Sequence, residues 1–76
     1  MNNKRRELLK LAMQALEQAS NYVSQALDEE QDCLDNMPES LQSSERYEKI
    51  EAAIDSLTSA TEGIDSAMAD VEEASA

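Results

Sequence analysis

Histidine, tryptophan and phenylalanine are missing from these 76 residues, and the two tyrosines leave the aromatic content at 3%. Without histidine there is no imidazole base, so serine–histidine and cysteine–histidine catalysis is excluded. The Glu-x-x-His pattern of carboxylate-bridged metal bundles is excluded for the same reason. The single cysteine, Cys33, cannot close an internal disulfide, which fits a reducing compartment. One glycine and one proline leave few places to turn, and folds with many strands need many turns. No apolar run approaches membrane-spanning length. The basic start of the chain is not followed by the apolar stretch of roughly 7–15 residues that a secretory signal requires.

What remains is rich in Ala, Leu, Glu, Gln and Ser, with a formal net charge of −11. That charge is uneven. Residues 1–10 carry four basic side chains against one acid, a net +3, whereas residues 11–76 carry two against sixteen, a net −14. A body this acidic repels phosphates and anionic lipids, so neither direct nucleic-acid binding nor membrane binding is expected. A basic protein surface suits it, and so does plain solubility.

The one strong break is Asp35-Asn36-Met37-Pro38. Pro38 lacks a backbone N–H and pushes Met37 out of the α region, and Asn36 tolerates the left-handed conformation that ends many helices. Pro38 to Gln42 has room for one short helical turn, after which Ser43 or Ser44 offers an N-cap. The reading is one all-α domain: helix 1 over about 4–35, a linker over about 36–43, and helix 2 over about 44–73.

Both helices carry a seven-residue repeat. Leu9, Leu16 and Val23 occupy position a of helix 1, with Ala12, Ala19 and Ala26 at d. In helix 2, Ile50, Leu57, Ile64 and Val71 take a, with Ala53, Ala60, Ala67 and Ala74 at d. Large and small residues alternating along a seam let two helices approach closely. The helix 1 pattern weakens where Glu30 falls at a and Cys33 at d. Lys4, Arg5 and Arg6 at the start of helix 1, and Asp70, Glu72 and Glu73 at the end of helix 2, each oppose their own helix dipole. An antiparallel hairpin brings the two clusters together, and a short linker favours the same arrangement.

A second apolar strip follows Met13, Leu27 and Leu34, with Tyr22 and Leu8 beside it, and continues through Tyr47, Ile54 and Met68 of helix 2. A lone hairpin is expected to leave it wet. It is therefore assigned either to homodimerisation into a four-helix bundle or to a different protein partner. Gly63 costs helix 2 roughly 1 kcal/mol relative to Ala. It sits beside the seam, where it would admit a close neighbour or be incidental.

Catalytic, cofactor and metal roles find no support in the spacing of residues. Asp28-Glu29-Glu30-Gln31-Asp32 lacks the glycine and alternating ligands of a calcium loop, and a solvated acidic face is the simpler account. The candidate partner-binding residues are the acidic rows: Asp28, Asp32 and Asp35 on helix 1, and Glu51, Asp55, Glu62 and Asp65 on helix 2. Carboxylates three or four residues apart lie about 5–6 Å from one another at Cβ. Rows of this kind can imitate the charge of a nucleic-acid backbone. An ordinary solvated helix face is the competing account.

The central segment resembles a pattern found in small acidic proteins of bacteriophages and prophages. It runs from Glu29-Glu30-Gln31-Asp32 through Asp35-Asn36-Met37-Pro38-Glu39-Ser40-Leu41-Gln42 to Ser44-Glu45-Arg46-Tyr47-Glu48. The resemblance is strongest over residues 29–48 and implies a phage product acting in the bacterial cytoplasm, often as an inhibitor of a host or defence enzyme. It draws attention to the linker residues Asn36, Met37, Pro38, Leu41, Arg46 and Tyr47. These either form a displayed binding loop or plug the hairpin end.

Overall fold

A computed structural model describes residues 2–76. The chain forms α1 (Asn3–Asp35), a 3₁₀ turn (Glu39–Leu41) and α2 (Glu45–Ser75), with α1 packed along α2 and no strand among the described residues. Local chemistry sets each boundary. The Asn2 side chain accepts a hydrogen bond from the Arg5 N–H at 2.9 Å and caps α1 one residue before the expected start. At the other end, the Asn36 N–H donates to the Asp32 carbonyl at 3.0 Å and the Met37 N–H to Leu34 at 3.1 Å. Asn36 does so at φ −91°, ψ 1°, and no described residue has a positive φ, so α1 ends without the left-handed residue that its asparagine offered. Pro38, at φ −58° and ψ 145°, turns the chain into the 3₁₀ segment instead. Of the two candidate caps for α2, Ser44 is used. Its hydroxyl accepts from the Tyr47 N–H at 3.2 Å and donates to the Leu41 carbonyl at 2.6 Å, tying the turn to the helix.

The hairpin is a thin rod of 59 × 14 × 14 Å between Cα extremes. Its radius of gyration is 17.3 Å, where a sphere-like domain of this length has about 11 Å. Two helices side by side can bury only one stripe each. Among the described residues only Met37 and Ile50 are buried, at 9% and 7% exposure, and both lie at the linker end. The rest of the seam is half-buried.

The seam is not centred where an a/d repeat puts it. In α2 the e positions Tyr47, Ile54, Thr61, Met68 and Ser75 are all half-buried, whereas Ala60 and Ala74 at d are exposed. In α1 the e positions Met13, Ser20, Leu27 and Leu34 are half-buried beside Ala12, Ala19 and Ala26 at d, whereas Cys33 at d and the g positions Leu8, Ala15 and Tyr22 are exposed. Burying apolar surface stabilises by about 25 cal/mol per Å², so Ile54 and Met68 compete for the seam more strongly than a row of alanines. The helices are rolled toward their e sides. This corrects the expectation that Met13, Leu27, Leu34, Ile54 and Met68 form a separate wet strip, because they are part of the hairpin's own seam. Of that strip Leu8 and Tyr22 are left out, at 56% and 64% exposure.

Candidate functional site

The roll divides the rod into two unlike faces. In an antiparallel pair, e positions of one helix neighbour e positions of the other, and g positions neighbour g positions. On the e side, at the open end of the hairpin, lies an open cleft of about 420 Å³. Leu9, Met13 and Val71 give it apolar lining, and Arg6, Lys10, Glu17 and Glu72 bring charges of both signs. Here the basic start of α1 does meet the acidic end of α2. The contact is loose, since the one ion pair within 4.0 Å among the described residues is Lys49–Glu45, at 3.3 Å within α2.

Along the same e side and the adjoining back of α2 run Glu51, Asp55, Glu62 and Asp65, all exposed. With Glu72 they extend over about 31 Å of helix at 1.5 Å per residue. Asp28, Asp32 and Asp35 stand exposed on the outer face of α1, toward the linker end. The Gln31 side-chain amide donates to Asp35 Oδ1 at 3.0 Å, a local bond that holds one carboxylate against its own helix. The Thr58 hydroxyl, among the α2 acids, donates to the Ile54 carbonyl at 2.8 Å and so turns inward, leaving carboxylates as the outward polar groups. Glu30 is half-buried at its core-like position, and no buried side-chain polar atom lacks a partner among the described residues, so its carboxylate reaches solvent.

Charge is graded along the rod. At the linker end, residues 28–51 carry nine acids against two bases, a net −7. At the open end, residues 2–10 and 70–76 carry four of each and cancel. Taken over the whole length, seventeen acidic against six basic side chains leave a net −11 on a 59 Å axis, about one charge per 5.4 Å. One strand of B-DNA carries one per roughly 3.4 Å, so the rod is sparser overall and most concentrated at its linker end.

The linker residues divide. Met37 is buried and Tyr47 half-buried, so these two close the end of the hairpin, while Asn36, Pro38, Leu41 and Arg46 are exposed. Leu41, at 47% exposure, is an apolar side chain offered to solvent. Sequence reasoning missed Leu11, which is 53% exposed on α1. Its spacing of three from Leu8 and eleven from Tyr22 would have placed it on their face. No three His, Cys, Asp or Glu side chains among the described residues gather into a group able to hold a metal ion. Among the described residues no helix is long and apolar enough to cross a membrane.

No protein-family model, curated protein or solved structure matches the chain.

Proposed function

We propose that this chain is a non-enzymatic, phage-type acidic binding protein, a homodimer working in the bacterial cytoplasm. Its acidic faces engage a basic surface on a host or anti-phage defence protein and inhibit or redirect it, in the manner of a nucleic-acid mimic. The observation that carries the reading is the concentration of negative charge, net −11 overall and −7 within residues 28–51, on a rod too thin to enclose a pocket. Rigid helices hold these charges in fixed rows, so a basic groove meets them without having to order them first. The resemblance of residues 29–48 to small phage proteins supports the setting.

The test is capture of bacterial proteins on the immobilised chain at about 50 and 300 mM salt, with and without competing duplex DNA. Contacts made through many carboxylates weaken steeply over that range. The expected result is a specific partner released by salt and displaced by DNA. Neutralising Glu51, Asp55, Glu62 and Asp65 to Gln and Asn should abolish its capture. A partner held equally at both salts and indifferent to DNA would refute the mimicry.

The thin core favours a second reading, a structural assembly module whose acidity serves solubility. Under that reading the four neutralised acids change nothing in assembly.

A further inference from the structure

The face turned away from the α2 acidic rows carries a seam of its own, which Glu29 and Asp32 of α1 continue toward the linker. Leu8, Leu11, Ala15, Gln18, Tyr22 and Gln25 follow one another on α1 in steps of three and four, and all six are exposed. Leu8, Leu11 and Tyr22 stand at 56%, 53% and 64%. Steps of three and four are the spacing of a coiled-coil interface. The Gln18 side-chain amide donates to the Tyr22 hydroxyl at 3.2 Å, so the phenol already has a partner along the stripe. No charged side chain interrupts it between Leu8 and Gln25. Beside it, α2 presents Ser56, Ala60 and Gly63, all exposed, and a Cβ built at Gly63 would meet nothing within 4 Å. This side is open to solvent.

We propose that this face docks a second copy of the chain, α1 against α1 and antiparallel. Two observations bear on that occupant. The first is area. A folded monomer of 8.4 kDa exposes about 4,600 Å², whereas this chain exposes 5668 Å². The excess of about 1,000 Å² follows from the rod shape and is spread over all its faces, so it leaves room for the roughly 800 Å² that each partner of a standard interface contributes. The second is charge. Docking head to head would bring two linker ends of −7 together, whereas antiparallel docking carries the basic start of one copy toward the acidic middle of the other.

Antiparallel seams set a-type against d-type layers. Leu11 then meets Tyr22 of the second copy, Ala15 meets Gln18, and Leu8 meets Gln25. The same register sets Lys4 against Glu29 of the second copy, opposite charges at each edge of the interface. The e-side acidic rows are left outward on both copies. The inference rests on the homodimer half of the proposed function and is independent of its acidic-face half.

The experiment uses the full chain at micromolar concentration, with sedimentation for mass and oxidative cross-linking for register. In a Cys33→Ser background, the pair Ala15→Cys and Gln18→Cys is expected to cross-link into covalent dimers, whereas a control pair on the acidic side, Thr58→Cys and Ala69→Cys, is not. Leu11→Glu or Tyr22→Glu should weaken the dimer at least about tenfold. Lys4→Glu should weaken it and Lys4→Glu with Glu29→Lys should restore it, a readout that does not depend on the cysteine variants folding. A stable monomer overturns the inference together with the homodimer half of the function, and leaves salt-sensitive partner capture standing. A dimer that ignores Leu11→Glu and Tyr22→Glu, or cross-links through the control pair, overturns this face alone.

Discussion

Replacing Ile50 with alanine probes where the hairpin's stability resides. Ile50 is the most buried of the described residues, at 7% exposure, and stands with Met37 at the linker end. The substitution removes three carbons, each contributing about 0.8 kcal/mol when buried, so the transfer loss is about 2.4 kcal/mol. A cavity term adds to it, held small because a surface this thin can close over the gap, giving about 2.5–3.5 kcal/mol in all. A 76-residue domain has roughly 4–11 kcal/mol to lose. Val71→Ala at the open end is the matched comparison. It removes two carbons from a half-buried site and should cost about 0.8 kcal/mol. Urea titrations followed by helical circular dichroism, at one fixed protein concentration because association contributes to apparent stability, should therefore rank the two about threefold apart. In thermal melts Ile50→Ala should lower Tm by about 10–20 °C and Val71→Ala by only a few. Equal costs, or a larger cost at Val71, would refute the claim that the core is concentrated beside the linker.

Two further substitutions test local features. Gly63→Ala should stabilise the helix by up to about 1 kcal/mol in the same titrations, because a Cβ there meets nothing within 4 Å and φ is not positive. Ser44→Ala should destabilise by about 1 kcal/mol, since it removes the acceptor of the Tyr47 N–H and the donor to the Leu41 carbonyl, whereas Ser43→Ala should be near neutral.

Much of the architecture was legible in the residues. Pro38 and its neighbours fix the single break, and the recurring apolar positions fix two helices and their pairing. The helix bounds differ from expectation by one or two residues, and the differences have causes. Asn2 caps α1 earlier than the apolar pattern indicates, and α2 runs on to Ser75, whose hydroxyl bonds back to the Val71 carbonyl at 2.8 Å. The roll of the seam was not legible from a seven-residue repeat alone. Position d was filled by alanine and position e by Ile54 and Met68, and which row faces the partner helix depends on side-chain volume rather than on period. That one rotation reassigns Met13, Leu27 and Leu34 to the interior and leaves Leu8, Leu11 and Tyr22 outside. The acidic rows stand exposed because charged side chains avoid burial whatever the roll. What they touch is a property of another molecule's surface, which this sequence does not encode.

The grading of charge along the rod also bears on how encounters begin. A body neutral at one end and −7 at the other, 59 Å apart, has a large permanent electric dipole along its length. In the field of a basic partner it experiences a torque before any contact forms, and turns its linker end forward. The first residues to arrive are then Glu39, the exposed Leu41 and Arg46, ahead of the helical rows. Such steering raises association rates by about ten- to a thousandfold at low ionic strength and fades within a Debye length of about 8 Å in physiological salt. The turn between the helices would thus select the orientation of approach, and the flanks would complete the contact afterwards.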